Sequence, residues 1–388
     1  MKLTSSLLLA LAFTHTAFAD TPLQRWRSYT GVTWNAPAPH ADSIKSPIAG
    51  LHFDAKGGAY VSTPRVLAAH TPATLSRLDT SVTEGPARLT AFPSVEANDP
   101  AAAPASHLRS VLGFHIDRRN GWLWALDQGF VAGEAEAPAG AQKVLVFELA
   151  SGKLVKALPL DGVADRRASF LNDIAVDEKR RIAFISDSGL RSAPANQAAL
   201  IVLDFASGTA HRVLHRHASV LPEPGAKVMA HGAEVWPGNP LVLGVNGIGL
   251  SPDGATLYWA VTTGTRLFSA PTALLRDAKA SDSQLAAAVR DLGDVGGNTD
   301  GLAVAADGHV YITDVTRNGI IRYNPRNDRF ALVAADDGVH WPDTPALFPN
   351  GDLVFTASAL NDHFAGRVSA GQERYELWRL PLKSARRQ

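Results

Sequence analysis

The sequence predicts an all-β fold, a six-bladed β-propeller forming a single closed domain with one short helical insertion. Three observations carry that expectation. The stretch 298–325 holds three short apolar runs separated by Asp307-Gly308 and Arg317-Asn318-Gly319. Asp-Gly and Asn-Gly accept the positive φ of tight hairpin turns, so the stretch reads as a strand meander. The same unit recurs along the chain, anchored at Ala49, Leu112, Asn172, Asn246, Asp300 and Asp343. Each anchor is followed 11 or 12 residues later by Tyr60, Trp124, Phe184, Tyr258, Tyr311 or Val354, a recurrence that fixes the register of the second strand. A lone meander cannot bury its faces, and units repeating every 43 to 74 residues suit four-stranded blades with loop insertions.

Taken in order, the chain opens with Met1-Lys2, an apolar run over 7–13 and Ala17-Phe18-Ala19 before Asp20. This is the pattern of a signal peptide over residues 1–19, with the propeller over 20–388, and it predicts a secreted or periplasmic protein. Residues 143–149 and 199–205, followed by Ser151-Gly152 and Ser207-Gly208, read as third strands and their turns. His215-Arg216-His217 reads as part of a strand face. Residues 86–107, rich in Ala and Pro, read as a long surface loop, and residues 271–292 as the helical insertion. Either 375–382 or 26–34 is expected to close the ring by pairing in a shared blade.

Composition narrows the function classes. With no cysteine, thiolate nucleophiles, thiol redox motifs and cysteine metal sites are excluded, and stability has to come from a large apolar core. Lys plus Arg, 37, equals Asp plus Glu, 37, so net charge gives no reason to expect nucleic acid or an anionic membrane as partner. No apolar run reaches the length of a membrane span. A monomer acting on a small-molecule ligand or substrate is expected. A Gly-x-Ser-x-Gly elbow, a His-Glu-x-x-His pair, a phosphate-cradling loop and a dinucleotide fingerprint are all lacking.

Candidate chemistry lies where the first strands of the blades converge on the propeller axis. The anchor positions of units three to six are Asn172, Asn246, Asp300 and Asp343, four hard oxygen donors of the kind that hold one divalent cation, calcium above all. Such an ion polarises a carbonyl or acidifies a water. The competing reading is turn capping by Asn and Asp, to which Asp127, Asp187 and Asp314 at the ends of second strands are also assigned. His231, on the long insertion before Asn246, is a candidate acid or base. Trp236, Trp341, Phe170 and Phe364 are candidates for an aromatic substrate-binding wall.

Several of these segments carry a resemblance. Trp122-Leu-Trp-Ala-Leu-Asp-Gln-Gly129, Phe170-Leu-Asn-Asp-Ile-Ala-Val-Asp177, Ile185-Ser-Asp-Ser-Gly189, Gly247-Ile-Gly-Leu-Ser-Pro-Asp-Gly-Ala-Thr-Leu-Tyr-Trp259 and Trp341-Pro-Asp343 resemble the yellow / major royal jelly protein family. The resemblance covers residues 108–364 and implies a usually secreted six-bladed propeller, with dopachrome-converting proteins and binders of small amines and lipids among its members. More distantly, the chain is similar to the senescence-marker / gluconolactonase family. That similarity implies that Asn246 and Asp300 hold a divalent cation, with Asp300 also the base, and that Asn172 contacts substrate or metal. Ala49 or Gly50 stands where that family has a first-blade Glu. The function expected is therefore an enzyme of the dopachrome-tautomerase-related or metal-assisted lactonase type, with no organic cofactor; the alternative is a non-catalytic carrier of small aromatic amines or lipids.

Overall fold

The computed structural model describes residues 23–35 and 43–382; the expected signal peptide lies outside them. Antiparallel sheets dominate. Four separate four-stranded sheets follow the chain in simple up-and-down order, and an eight-stranded sheet joins the first set of strands to the last. The first strands of the units are Leu51–Phe53, Val111–Asp117, Leu171–Asp177, Val245–Leu250, Thr299–Val304 and Pro342–Leu347. Each touches the next in this order, and Leu51–Phe53 touches both Val111–Asp117 and Pro342–Leu347. This is the architecture of a β-propeller. The aromatic recurrence is the pairing register itself: Tyr60, Trp124, Phe184, Tyr258 and Tyr311 face His52, His115, Ala175, Gly249 and Ala303.

The apolar core lies between neighbouring sheets. Trp124, Val146, Ile185 and Leu203 fill one such layer, and Phe184, Leu200, Leu257 and Trp259 the next. Each fully buried large side chain contributes roughly 1.5–3 kcal/mol, which is how a chain without disulfides is held together.

The two closure candidates turn out to be partners. Gln24–Trp34 pairs antiparallel with Tyr375–Leu380, placing Tyr29 opposite Tyr375, and parallel with Glu84–Ala91, placing Thr33 opposite Arg88. Arg118 adds a clamp on the opposite side, its guanidinium donating to the carbonyls of Phe53 at 2.9 Å and Leu347 at 2.6 Å.

Three local expectations need correction. Residues 86–91 belong to the strand Glu84–Ala91, where Pro86 withholds only its own N–H from pairing. The helical insertion is two pieces, Thr272–Leu275 and Asp282–Ala288, the second opened by a Ser281–Gln284 capping box. Its expected end is a strand, Arg290–Asp294, completing the fourth sheet. His215 and His217 follow the strand Ala210–Val213 in a turn where Leu214 and Arg216 have positive φ, and His217 Nδ1 bonds Ser219 at 2.8 Å.

Candidate functional site

A register shift interrupts the pairing of the first and second strands in units two to six. The residues it releases are Leu112-Gly113, Asn172-Asp173, Asn246-Gly247, Asp300-Gly301 and Asp343-Thr344, so each anchor sits in a bulge. A bulge re-aims a side chain out of the sheet, and here the freed anchors point at the axis. Its second position is crowded by the neighbouring unit. A Cβ on Gly247 would stand 2.7 Å from the Asp300 carbonyl, and one on Gly301 would collide with Pro345 Cδ.

The anchors form the floor of a cavity of about 110 Å³ at one end of the axis. Asn172, Asn246, Asp300 and Asp343 all line it, with Ala49 and Leu112 completing the set from units one and two. The walls are Phe170, Trp236, Trp341, Phe364 and several aliphatic side chains, and among the described residues no basic side chain contributes to them. Trp236 and the short helix Leu360–Phe364 roof the cavity. Trp236 donates to the Asn361 carbonyl at 3.0 Å and meets Phe364 edge-on. Trp236, Trp341 and Ala359 all have positive φ, an unfavourable conformation for such residues, and backbone strain of this kind gathers at binding sites.

Asp300 is the centre of the floor. Its Oδ1 accepts from the Asn246 amide, whose Nδ2 also donates to Thr262 Oγ1 at 2.9 Å. Its Oδ2 accepts from the Trp341 indole at 2.5 Å. Burial nevertheless dominates and pushes the carboxyl up to about 7, with Asp173 adding to the rise. Asp343 is raised well above the ordinary carboxylate range by burial, then by the charges of Asp300 and Asp173. The side chain of Asp343 keeps some accessible surface, but that surface faces the interior cavities, so burial governs its ionisation.

Asp173 is the residue sequence reasoning passed over. It occupies the bulge position that is glycine in units four and five. Its carboxylate accepts from the amides of Ile174 at 2.8 Å and Ile248 at 3.4 Å, the second across the gap between units. Burial carries it up to about 6. The signal was present: an acidic residue where the neighbouring units have glycine. His231 stands apart. It is exposed, is not among the lining residues, stacks on His340 with ring centroids 4.3 Å apart and lies 3.3 Å from the Asn318 amide. Asp127, Asp187 and Asp314 are buried turn caps, each accepting backbone amides and a basic side chain.

The donor set fits a hard cation. The Asn172 amide and Asn246 Oδ1 have no hydrogen-bond partner among the described residues, and they lie on the same floor as Asp300 and Asp343. Ala49 lines the floor without a ligand atom. Two of the four candidate donors are amides, Asn172 and Asn246, and two are carboxyls, Asp300 and Asp343.

Fold and site together define a β-propeller with an aromatic-walled cavity whose floor carries two Asn and two Asp side chains. The sequence pattern of the major royal jelly proteins matches residues 109–344, and the chain belongs to that family. Among solved structures, a luciferin-regenerating enzyme superposes with a TM-score of 0.51 at 12% identity, over 86% of this chain and 91% of that one. A gluconolactonase from Xanthomonas campestris superposes with a TM-score of 0.51 at 14% identity, over 93% and 97% of the two chains. Both likenesses concern the fold alone. A search of curated protein sequences gave no match.

Proposed function

We propose that this chain is an exported, six-bladed propeller enzyme that moves a proton on a small cyclic substrate, with Asp300 as the acid–base group. The single observation behind this reading is a buried carboxyl, raised to about 7, on the polar floor of an otherwise apolar cavity. A group that titrates near neutral pH both takes and returns a proton efficiently. Asn246 and Trp341 orient Asp300, Asn172 and Asp343 face the reacting atoms, and the aromatic walls hold a planar ring. Tautomerisation of a dopachrome-like compound needs one proton removed and one returned. Hydrolysis of a lactone needs a base for the attacking water. A calcium ion on Asn172, Asn246, Asp300 and Asp343 would supply Lewis-acid polarisation of the carbonyl.

The test is turnover of indole-quinone and lactone panels by the protein and by Asp300→Asn. A loss of about a hundredfold or more is expected in the variant. Undiminished turnover there would remove Asp300 from the chemistry. Calcium is checked separately by thermal unfolding: binding to the folded state stabilises by roughly 3 kcal/mol at a hundredfold excess over Kd. A midpoint unmoved by calcium, magnesium, manganese or zinc would discard the ion.

A second reading rests on the meeting of acidic floor groups, Asp300 and Asp343, with the aromatic walls Phe170, Trp236, Trp341 and Phe364. Acidic groups under aromatic walls suit a protonated aromatic amine, held without reaction. Calorimetric binding of tryptamine, with no product formed from any panel compound, would favour that carrier.

A further inference from the structure

Below the floor lies a second, larger cavity of about 680 Å³, lined by the first strands of all six units and by turns that follow them at the opposite end of the axis. His52, on Leu51–Phe53, and His115, on Val111–Asp117, line it side by side, with ring centroids 6.0 Å apart. Among the described residues, neither ring nitrogen of His52 has a hydrogen-bond partner, nor has Nδ1 of His115. We propose that the His52–His115 pair binds one borderline transition-metal ion, copper(II) above all, at a site separate from the oxygen donors of the floor. This goes beyond the acid–base reading of Asp300 and does not depend on it.

The spacing suits such an ion. Two metal–nitrogen bonds of about 2.0–2.1 Å, each continued to a ring centre, span roughly 6 Å when the ion lies between the rings. His115 is also held as metal-ligating histidines usually are, with its Nε2 3.2 Å from Glu178 Oε1. A carboxylate only accepts, so Nε2 is the donor and the Nδ1 lone pair is left for an ion. His52 is uncharged at neutral pH: burial, then the charges of His115 and Arg118, pull it down to about 3, and its accessible surface faces the cavity. A neutral imidazole ligates without first losing a proton. Phe114 braces the His52 ring edge-on at a centroid distance of 5.0 Å. Imidazole nitrogens favour copper(II) over zinc, whereas calcium and magnesium take carboxylate and amide oxygens, so softness separates this site from the floor. The pair supplies two ligands, and water from the cavity fills the remaining positions.

The other polar groups of the lining are consistent with a cation here. At the outer end Arg118, Arg119 and Lys179 oppose one, and Asp177, Glu178 and Asp253 favour one. Arg118 is turned to the carbonyls of Phe53 and Leu347, Asp177 is paired with Arg180, and Asp253 accepts from Ser251. Glu178 is therefore the carboxylate that serves the pair. At the inner end Asn172, Asp173, Asn246, Asp343 and Thr344 adjoin the floor.

The experiment is calorimetric titration of the tag-free protein with copper(II), in excess calcium and with glycine as a competing chelator. One equivalent is expected to bind, with an affinity that falls at least tenfold in His52→Ala, in His115→Ala and in Glu178→Gln, which removes the outer partner of His115. Asp300→Asn is expected to bind copper as the parent does, and pulsed EPR of the copper-loaded parent is expected to show two coupled imidazoles. No binding overturns the proposal. So does an affinity unchanged in both histidine variants, which marks adventitious coordination at exposed histidines such as His215 and His231. A loss of binding in Asp300→Asn places the copper on the floor and overturns it equally. Thermal unfolding without metal shows whether each variant folds; should one histidine variant not fold, the other and the imidazole count decide, and fewer than two imidazoles overturns the site.

Discussion

The ionisation of Asp300 couples the site to stability. Its carboxyl rises on folding from 3.8 to about 7, so the folded protein binds the proton more tightly than the unfolded chain. The stabilisation this gives is complete below the unfolded value and is lost as pH rises through the folded one. Between those limits stability should fall with increasing pH, by an amount on the order of a few kcal/mol at about 1.4 kcal/mol per pH unit. Asp300→Asn removes the titration while keeping an acceptor for Trp341. The expected outcome is a flatter plot of urea midpoint against pH over this window, with the variant the more stable above pH 7. A variant whose slope matches the parent would show that Asp300 does not carry the shift. The four anchors were legible in the sequence because each stands 11 or 12 residues before an aromatic or Val of its second strand. Asp173 was passed over because it adjoins an anchor and becomes an axial group only through the bulge, although its carboxyl stands where the neighbouring units have glycine.

At the scale of elements, the bulge sets how closely neighbouring inner strands approach. Gly301 packs its bare Cα against Pro345 and the Asp343 carbonyl, which a Cβ would approach to 3.0 Å. Gly301→Ala has to push units five and six apart, and overpacking of this kind costs about 1–3 kcal/mol. Because Asp300 immediately precedes it, the same change should also weaken the Trp341 bond to Asp300. A fall in the denaturant midpoint together with a changed Trp341 emission is expected; an unchanged midpoint would mean the strands have slack. Strand positions were readable from alternation and turn residues, and the pairing of each second-strand aromatic was readable from its constant offset. The strand Glu84–Ala91 was hidden by Pro86, which is acceptable there because it sits at a register shift, with Gly85 and Ala87 on either side still paired to Gln24–Trp34. Arg290–Asp294 was hidden by its continuity with an Ala-rich helix. His231, on a long insertion with no repeat to fix its place, had nothing in the sequence to locate it on the outer lip.

For the whole molecule, the question is how the ends of the chain meet. Gln24–Trp34 covers one edge of Tyr375–Leu380, and Tyr29 and Val32 share a buried cluster with Tyr375 and Leu377. The sequence offered both segments as closing strands without a means to choose, since a pairing between chain ends leaves no local turn signal. If this pairing holds the ring shut, a chain starting at Ser43 exposes the apolar cluster and a bare strand edge at once. Such an edge is a template for association. That truncated chain should lose its cooperative urea transition and scatter light. A circular permutant separates lost contacts from a mere need for chain length. Gln24 lies opposite Arg379, so residues 382 and 23 can be joined by a short hairpin loop, with the new chain running from Ser43 round to residue 35. This permutant keeps every strand contact and should unfold at nearly the parent midpoint. A truncated chain as stable as the parent would show that the remaining sheets close without the strand. A permutant as unstable as the truncation would show that the link between residues 35 and 43, rather than the pairing, holds the ends together.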